Sequence, residues 1–194
     1  MEVATGEIKA MCNLDRGSDL QYYEIANHAV IRMEPGSTFK TIAMMAALDD
    51  GKFNIDDTLR VWKDGWNYHG ATHRDAHPAD TVYTMRQALA VSSNIALARM
   101  ITDGYNGSAK KFVNKLKRMG LCDSIDYIIP GAHQPRINIP KDTVTISRMA
   151  YGYSVELSPL QILTFYNGIA NDGRMISPVL VTEVKNGKTT VESF

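Results

Sequence analysis

The chain has 194 residues with 21 basic and 21 acidic side chains, and a formal net charge of zero favours no polyanionic partner such as nucleic acid. Its length suits one ordinary domain with a real core, and 44% hydrophobic against 22% charged residues excludes a disordered chain. Cys12 and Cys122 are too few for a disulfide framework and match no zinc spacing, although one bridge stays open; no signal peptide begins the chain. The longest apolar runs fall short of the roughly 20 residues needed to cross a bilayer, so any membrane anchor is expected outside this sequence.

In chain order, residues 3–12 predict an edge hairpin around Thr5-Gly6, with Ile8, Ala10 and Cys12 alternating against polar neighbours. Residues 13–33 are a mixed lead-in to Glu34-Pro35-Gly36-Ser37-Thr38-Phe39-Lys40. Pro35 and Gly36 punctuate a turn, and the apolar run that follows through Leu48 predicts a central helix stopped at Asp49-Asp50-Gly51. Residues 52–80 lack sustained periodicity and read as a long surface excursion. His69, His73 and His77 invite a metal reading, but Gly70, Asp75 and Pro78 oppose the regular helix it would need, which favours histidines bonded to loop backbone.

Residues 81–90 read as helical with Met85, Ala88 and Leu89 on one side, and a second helix follows Ser92-Ser93-Asn94. That polar triplet is either an ordinary N-cap or a loop lowering a hydroxyl and a carboxamide into a cleft. Residues 108–119 form an amphipathic helix with Phe112, Leu116 and Met119 inward and Lys110, Lys111, Lys115 and Lys117 outward, closed by Gly120. Residues 121–150, with Pro130, Pro135 and Pro140, read as loop and short pieces. Ser158-Pro159 opens a strong helix ended by Asn171-Asp172-Gly173, and residues 178–184 look like the start of a strand.

Chemistry concentrates at Ser37 and Lys40. Three residues apart on a helix, their side chains share a face. A hydroxyl is a poor nucleophile until a base takes its proton, and a partly buried lysine whose charge is disfavoured can be that base. The helix start adds N–H groups that steady developing negative charge on a substrate oxygen. An N-cap serine and a solvated lysine would account for the same four residues without any reaction.

Ser37-Thr38-Phe39-Lys40 followed by Ser92-Ser93-Asn94 is similar to the Ser-x-x-Lys and Ser-x-Asn pair of penicillin-recognising serine enzymes. Ala90-Val91-Ser92-Ser93-Asn94, the stretch Tyr151-Gly152-Tyr153-Ser154-Val155-Glu156-Leu157-Ser158-Pro159-Leu160-Gln161 and Ala170-Asn171-Asp172-Gly173 resemble class B penicillin-binding proteins, the monofunctional peptidoglycan transpeptidases, in the family's order. The resemblance covers essentially the whole chain and implies an α+β fold of the penicillin-binding-protein and serine β-lactamase type: a helical subdomain plus the first strands of an antiparallel sheet. It implies that Ser37 attacks the penultimate D-Ala carbonyl of a stem peptide, that Lys40 accepts the Ser37 proton and that Ser92 relays it to the leaving amine. Asn94 would hold the substrate amide and fix Lys40. No cofactor and no metal are implied.

The family's third motif, Lys-Thr-Gly, is not found. Lys188-Thr189-Thr190 comes too early and lacks the glycine, so it reads as a decoy, and the chain is expected to be a truncated transpeptidase domain. The segments anticipated are a hairpin and lead-in over 1–33, a mainly helical active-site portion over 34–175 and the first C-terminal strands over 176–194. The resemblance further implies stem peptides and β-lactams as ligands, division-associated proteins as partners of the parent protein, and work on the extracytoplasmic face of the membrane. A β-lactam-binding sensor, an inactive scaffold of the same fold and a serine β-lactamase are the rival readings.

Overall fold

The computed structural model describes residues 1–123, 129, 131–187 and 189–193; Pro130 and Lys188 lie outside the described residues. The elements in order are β1 (Asp15–Arg16), β2 (Tyr22–Tyr23), a 3-10 turn (Gly36–Phe39), α1 (Lys40–Asp49), β3 (Thr58–Val61), β4 (Trp66–Tyr68), β5 (Ala71–His73) and β6 (Thr81–Thr84). There follow α2 (Met85–Ala90), α3 (Asn94–Gly104), α4 (Ala109–Arg118), α5 (Thr145–Met149), α6 (Pro159–Ala170), β7 (Glu183–Asn186) and β8 (Thr189–Ser193). The chain forms two compact units, one of Met1–Met33, Ser124–Pro135 and Leu157–Phe194 and one of Glu34–Asp123 and Arg136–Glu156.

The second unit is built on α1. Ile42, Ala43, Met44, Ala46 and Ala47 are buried on it, so its small apolar residues let α3 and α4 pack close. Within α3, Ile95 through Ala98, Met100 and Ile101 are buried in turn, and α5 closes over them with Ile146 and Met149. The amphipathic reading of α4 holds for Phe112 and Leu116 but not for Lys115. That side chain is 5% exposed and pairs with Asp49 and with Asp50, 3.0 Å away, at the end of α1. Its aliphatic stem lies in the core while two carboxylates satisfy the ammonium.

Residues 52–80 are not the unstructured excursion their composition suggested. β3 pairs antiparallel with β6 in the register Thr58↔Thr84 to Val61↔Thr81, and Leu59 and Val61 turn inward. The β-branched and aromatic residues of Thr81-Val82-Tyr83-Thr84 therefore make a strand where the periodicity suggested helix. Thr84 then caps α2 in a capping box with Gln87. A second antiparallel pair joins β4 to β5, with Trp66 opposite His73.

In the first unit, Val30, Ile129 and Leu160 are buried together with Met1, Ile8, Met11 and Ala132 packed against them. The segment expected as a hairpin closes only its turn, with Glu2 N–H donating to Glu7 O at 2.8 Å and Gly6 N–H to Glu2 O at 3.0 Å. Ile8 N–H donates to Val179 O at 2.9 Å and Val179 N–H to Gly6 O at 2.9 Å, so a distant segment takes the backbone groups that a hairpin would use. α6 begins as its sequence announced, with Ser158 and Gln161 in a capping box and Pro159 in the first turn, and it belongs to this unit. β7 and β8 form an antiparallel hairpin with an irregular register between Val184 and Lys185. Cys12 and Cys122 are both free, and no helix among the described residues is long and apolar enough to cross a membrane.

Candidate active site

Two turns of the second unit carry the candidate residues. The first turn follows Pro35. Gly36 takes φ +57°, a left-handed conformation that side chains resist, and the chain then tightens into the 3-10 turn that holds Ser37. In such a turn residues i and i+3 lie one above the other, which stacks Ser37 over Lys40 more directly than an α-helix would. Ser37 is exposed, and its hydroxyl makes no hydrogen bond among the described residues.

Lys40 opens α1 and is 1% exposed. Its ammonium donates to Ser92 O at 2.6 Å and to Ser92 Oγ at 2.9 Å. Burial lowers its pKa from 10.5 to about 8, and the Asp75 carboxylate opposes that fall. A lysine so placed is neutral in an appreciable fraction of molecules near pH 7, which suits it to accept a proton.

The second turn links α2 to α3. Ser92 has φ +55°, held by Ser92 N–H donating to Leu89 O at 3.0 Å and Ser93 N–H to Ala88 O at 2.9 Å. Ser93 is the N-cap of α3, its Oγ accepting from Ala96 N–H at 3.0 Å and donating to Asp75 Oδ2 at 2.8 Å. The other Asp75 oxygen accepts from Ile95 N–H at 2.9 Å. A carboxylate thus supplements the serine cap and sits where the positive end of α3 favours it. The two sequence readings of Ser92-Ser93-Asn94 coexist: Ser93 caps the helix and Ser92 is lowered onto Lys40.

The structure joins Lys40 to Ser92, and Ser37 precedes Lys40 by three residues in the turn that opens α1. Asn94 is turned elsewhere in part, its Nδ2 donating to Arg74 O at 2.8 Å, while both hydrogen bonds of Lys40 go to Ser92. Asp75 was missed in the sequence because no local spacing ties it to a helix that begins 19 residues later.

His73, Tyr151 and Gly152 complete the surroundings. His73 is 3% exposed and bonds side chains rather than the loop backbone anticipated for it: Nδ1 lies 2.7 Å from the Tyr151 hydroxyl and Nε2 3.0 Å from Ser147 Oγ. No group of three or more possible metal ligands occurs among the described residues. Gly152, at φ +88°, presses its backbone onto Gly36, whose N–H donates to Gly152 O at 3.2 Å; a Cβ on Gly152 would stand 2.1 Å from Gly36 O.

The TP domain of penicillin-binding protein 3 from Burkholderia pseudomallei matches this structure with a TM-score of 0.75 over 98% of this chain and 54% of that one, at 22% identity. The likeness shows a shared α+β transpeptidase fold. A family model, the penicillin binding protein transpeptidase domain, matches residues 1–193, and the chain belongs to that family. It is 26% identical over 185 residues to "Probable peptidoglycan D,D-transpeptidase PbpC" of Pseudomonas aeruginosa, covering 89% of this chain and 31% of that protein. It is also 26% identical over 205 residues to "Penicillin-binding protein PbpB" of Mycolicibacterium smegmatis, covering 99% of this chain and 31% of that one. The chain therefore spans under a third of the length of these curated relatives.

Proposed function

We propose that this chain carries the nucleophile and base of a serine D,D-transpeptidase that crosslinks peptidoglycan stem peptides. Ser37 Oγ attacks the carbonyl of the penultimate D-Ala while Lys40 takes the hydroxyl proton. The peptide bond to the terminal D-Ala breaks, and the proton passes from Lys40 through Ser92 to the departing amine. An amine of a second stem peptide then attacks the acyl-enzyme, forms the crosslink and returns a proton to Ser37. Asn94 Oδ1 is the group offered to the substrate amide. A β-lactam acylates the same serine, but its amine stays tethered and the ester persists.

The observation that carries this reading is the buried Lys40 ammonium bonded to both oxygens of Ser92. The substrate class sets the work on the extracytoplasmic face of the membrane, with division-associated proteins as partners of the parent protein. The test is covalent uptake of a fluorescent penicillin, which Ser37→Ala abolishes; labelling that persists in that variant refutes the nucleophile. Crosslinking of stem-peptide analogues separates the transpeptidase from a sensor, which acylates once, and from a β-lactamase, which turns the drug over.

A further inference from the structure

We propose that His73 is a positioning residue: through Tyr151 it sets the turn that carries Ser37, and through the two residues that follow it the turn that carries Ser92. The inference rests on the acyl-transfer reading above. Its starting point is the proton inventory of a closed chain of hydrogen bonds. Ser147 Oγ lies 2.6 Å from Val144 O and gives its one proton there. It must therefore accept at its 3.0 Å contact with His73, so His73 Nε2 carries the proton. A neutral imidazole then presents Nδ1 as an acceptor, and the Tyr151 hydroxyl donates to it at 2.7 Å. Burial, helped by the Arg148 charge, lowers the His73 pKa and keeps this neutral tautomer in place at pH 7. Donors run in one direction, from Tyr151 to His73 to Ser147 to Val144, with no polar atom of the ring left over.

What that chain holds is the segment against the nucleophile turn. Tyr151 is followed by Gly152, whose backbone lies on Gly36, and by Ser154, whose N–H donates to the Glu34 carboxylate at 2.8 Å. Gly36 and Glu34 flank Pro35, and Ser37 comes next. On the other side, His73 ends β5 and leads directly into Arg74, whose carbonyl holds Asn94, and Asp75, whose carboxylate holds Ser93 and the first turn of α3. One ring thus stands between the two turns whose separation determines whether Ser37, Lys40 and Ser92 can pass a proton. A misplacement of about 1 Å in such a constellation can cost on the order of a hundredfold in rate.

The experiment follows covalent acylation by fluorescent penicillin in the intact protein and separates encounter affinity from the acylation rate constant. Tyr151→Phe removes one oxygen and leaves the ring, so the fold is retained; His73→Phe, His73→Asn and the Tyr151→Phe/His73→Phe double variant complete the set. Each phenylalanine variant is expected to slow acylation ~10-fold with affinity within ~2-fold, and the double variant to be no slower than the slower single, because the Tyr151–His73 hydrogen bond is already lost in each of them. His73→Asn, which returns an acceptor for the Tyr151 hydroxyl, is expected to recover most of the rate. An unaltered rate in Tyr151→Phe, losses that multiply in the double variant, or a loss of affinity in place of rate overturns the proposal. Absence of labelling in the unsubstituted protein, or equal labelling of Ser37→Ala, instead overturns the acyl-transfer reading, so the two failures are distinguishable.

Discussion

The turn that carries Ser37 and the turn that carries Ser92 are held by different means. The Ser92 turn is tied by side chains: Ser93 and Asp75 together satisfy the first amides of α3. The Ser37 turn has no side-chain cap at the start of its 3-10 segment or of α1. It is held mainly from outside, by backbone contact with Gly152 and by the bond from Ser154 N–H to Glu34. A cap would occupy the N–H groups at the helix start, which are the groups a developing oxyanion needs. The contrast teaches that the Ser92 turn is fixed by the side chains that cap its helix, while the Ser37 turn is fixed by a stretch of chain remote in sequence and leaves the Ser37 hydroxyl exposed.

The largest effect expected from breaking this division of labour comes at Lys40, which joins the two turns. Lys40→Met is predicted to lower the penicillin acylation rate by at least ~10³-fold, as loss of a general base does. In the unsubstituted protein the rate should rise ~10-fold per pH unit below about 8 and level off above it, as Lys40 becomes neutral. The linked stability has a definite sign. The folded pKa of about 8 lies below the unfolded 10.5, so the folded state loses its proton first; the burial penalty is fully present below about 8 and disappears as pH rises to 10.5. That penalty is ~3 kcal/mol. Lys40→Met should therefore raise the unfolding midpoint at pH 7 by a few degrees and remove this pH dependence, which thermal unfolding at pH 7 and pH 10 checks.

Gly152→Ala comes next. Its Cβ would meet Gly36 O at 2.1 Å in a left-handed conformation, and acylation is expected to fall ~100-fold, with unaltered labelling refuting the external clamp. Asp75→Asn tests the other turn. Its loss should cost ~1 kcal/mol in helix capping. It should also move the inflection of the acylation profile below 8, because the Asp75 charge now holds Lys40 up. An inflection that stays in place would show that Asp75 does not act on the lysine. Thr84→Ala, at the capping box of α2, should cost ~1 kcal/mol in denaturant unfolding and leave the labelling rate unchanged.

Helix starts and the pairing of candidate residues were legible wherever the controlling residues are close in sequence. Ser158-Pro159 and Ser108 announced α6 and α4, and Ser37 with Lys40 could be read from a spacing of three. Residues 58–61 and 81–84 were not legible as strands, because each pairs with the other across about 20 residues and neither alternates strongly enough alone. Lys115 looked solvated from its own helix, since the carboxylates that receive it lie on α1.

By itself the sequence determined the local elements: which hydroxyl opens a helix, where the chain turns, and that a lysine follows three residues after Ser37. It also carried the family resemblance that a match over residues 1–193 bears out. Only the tertiary structure decided that Lys40 is buried against Ser92, that Asp75 caps a distant helix, that His73 lies between Tyr151 and Ser147, and that two glycine backbones touch. The physical reason is that a pKa, a proton's position and a steric clearance belong to pairs of groups, and here the partners are supplied by segments remote in sequence.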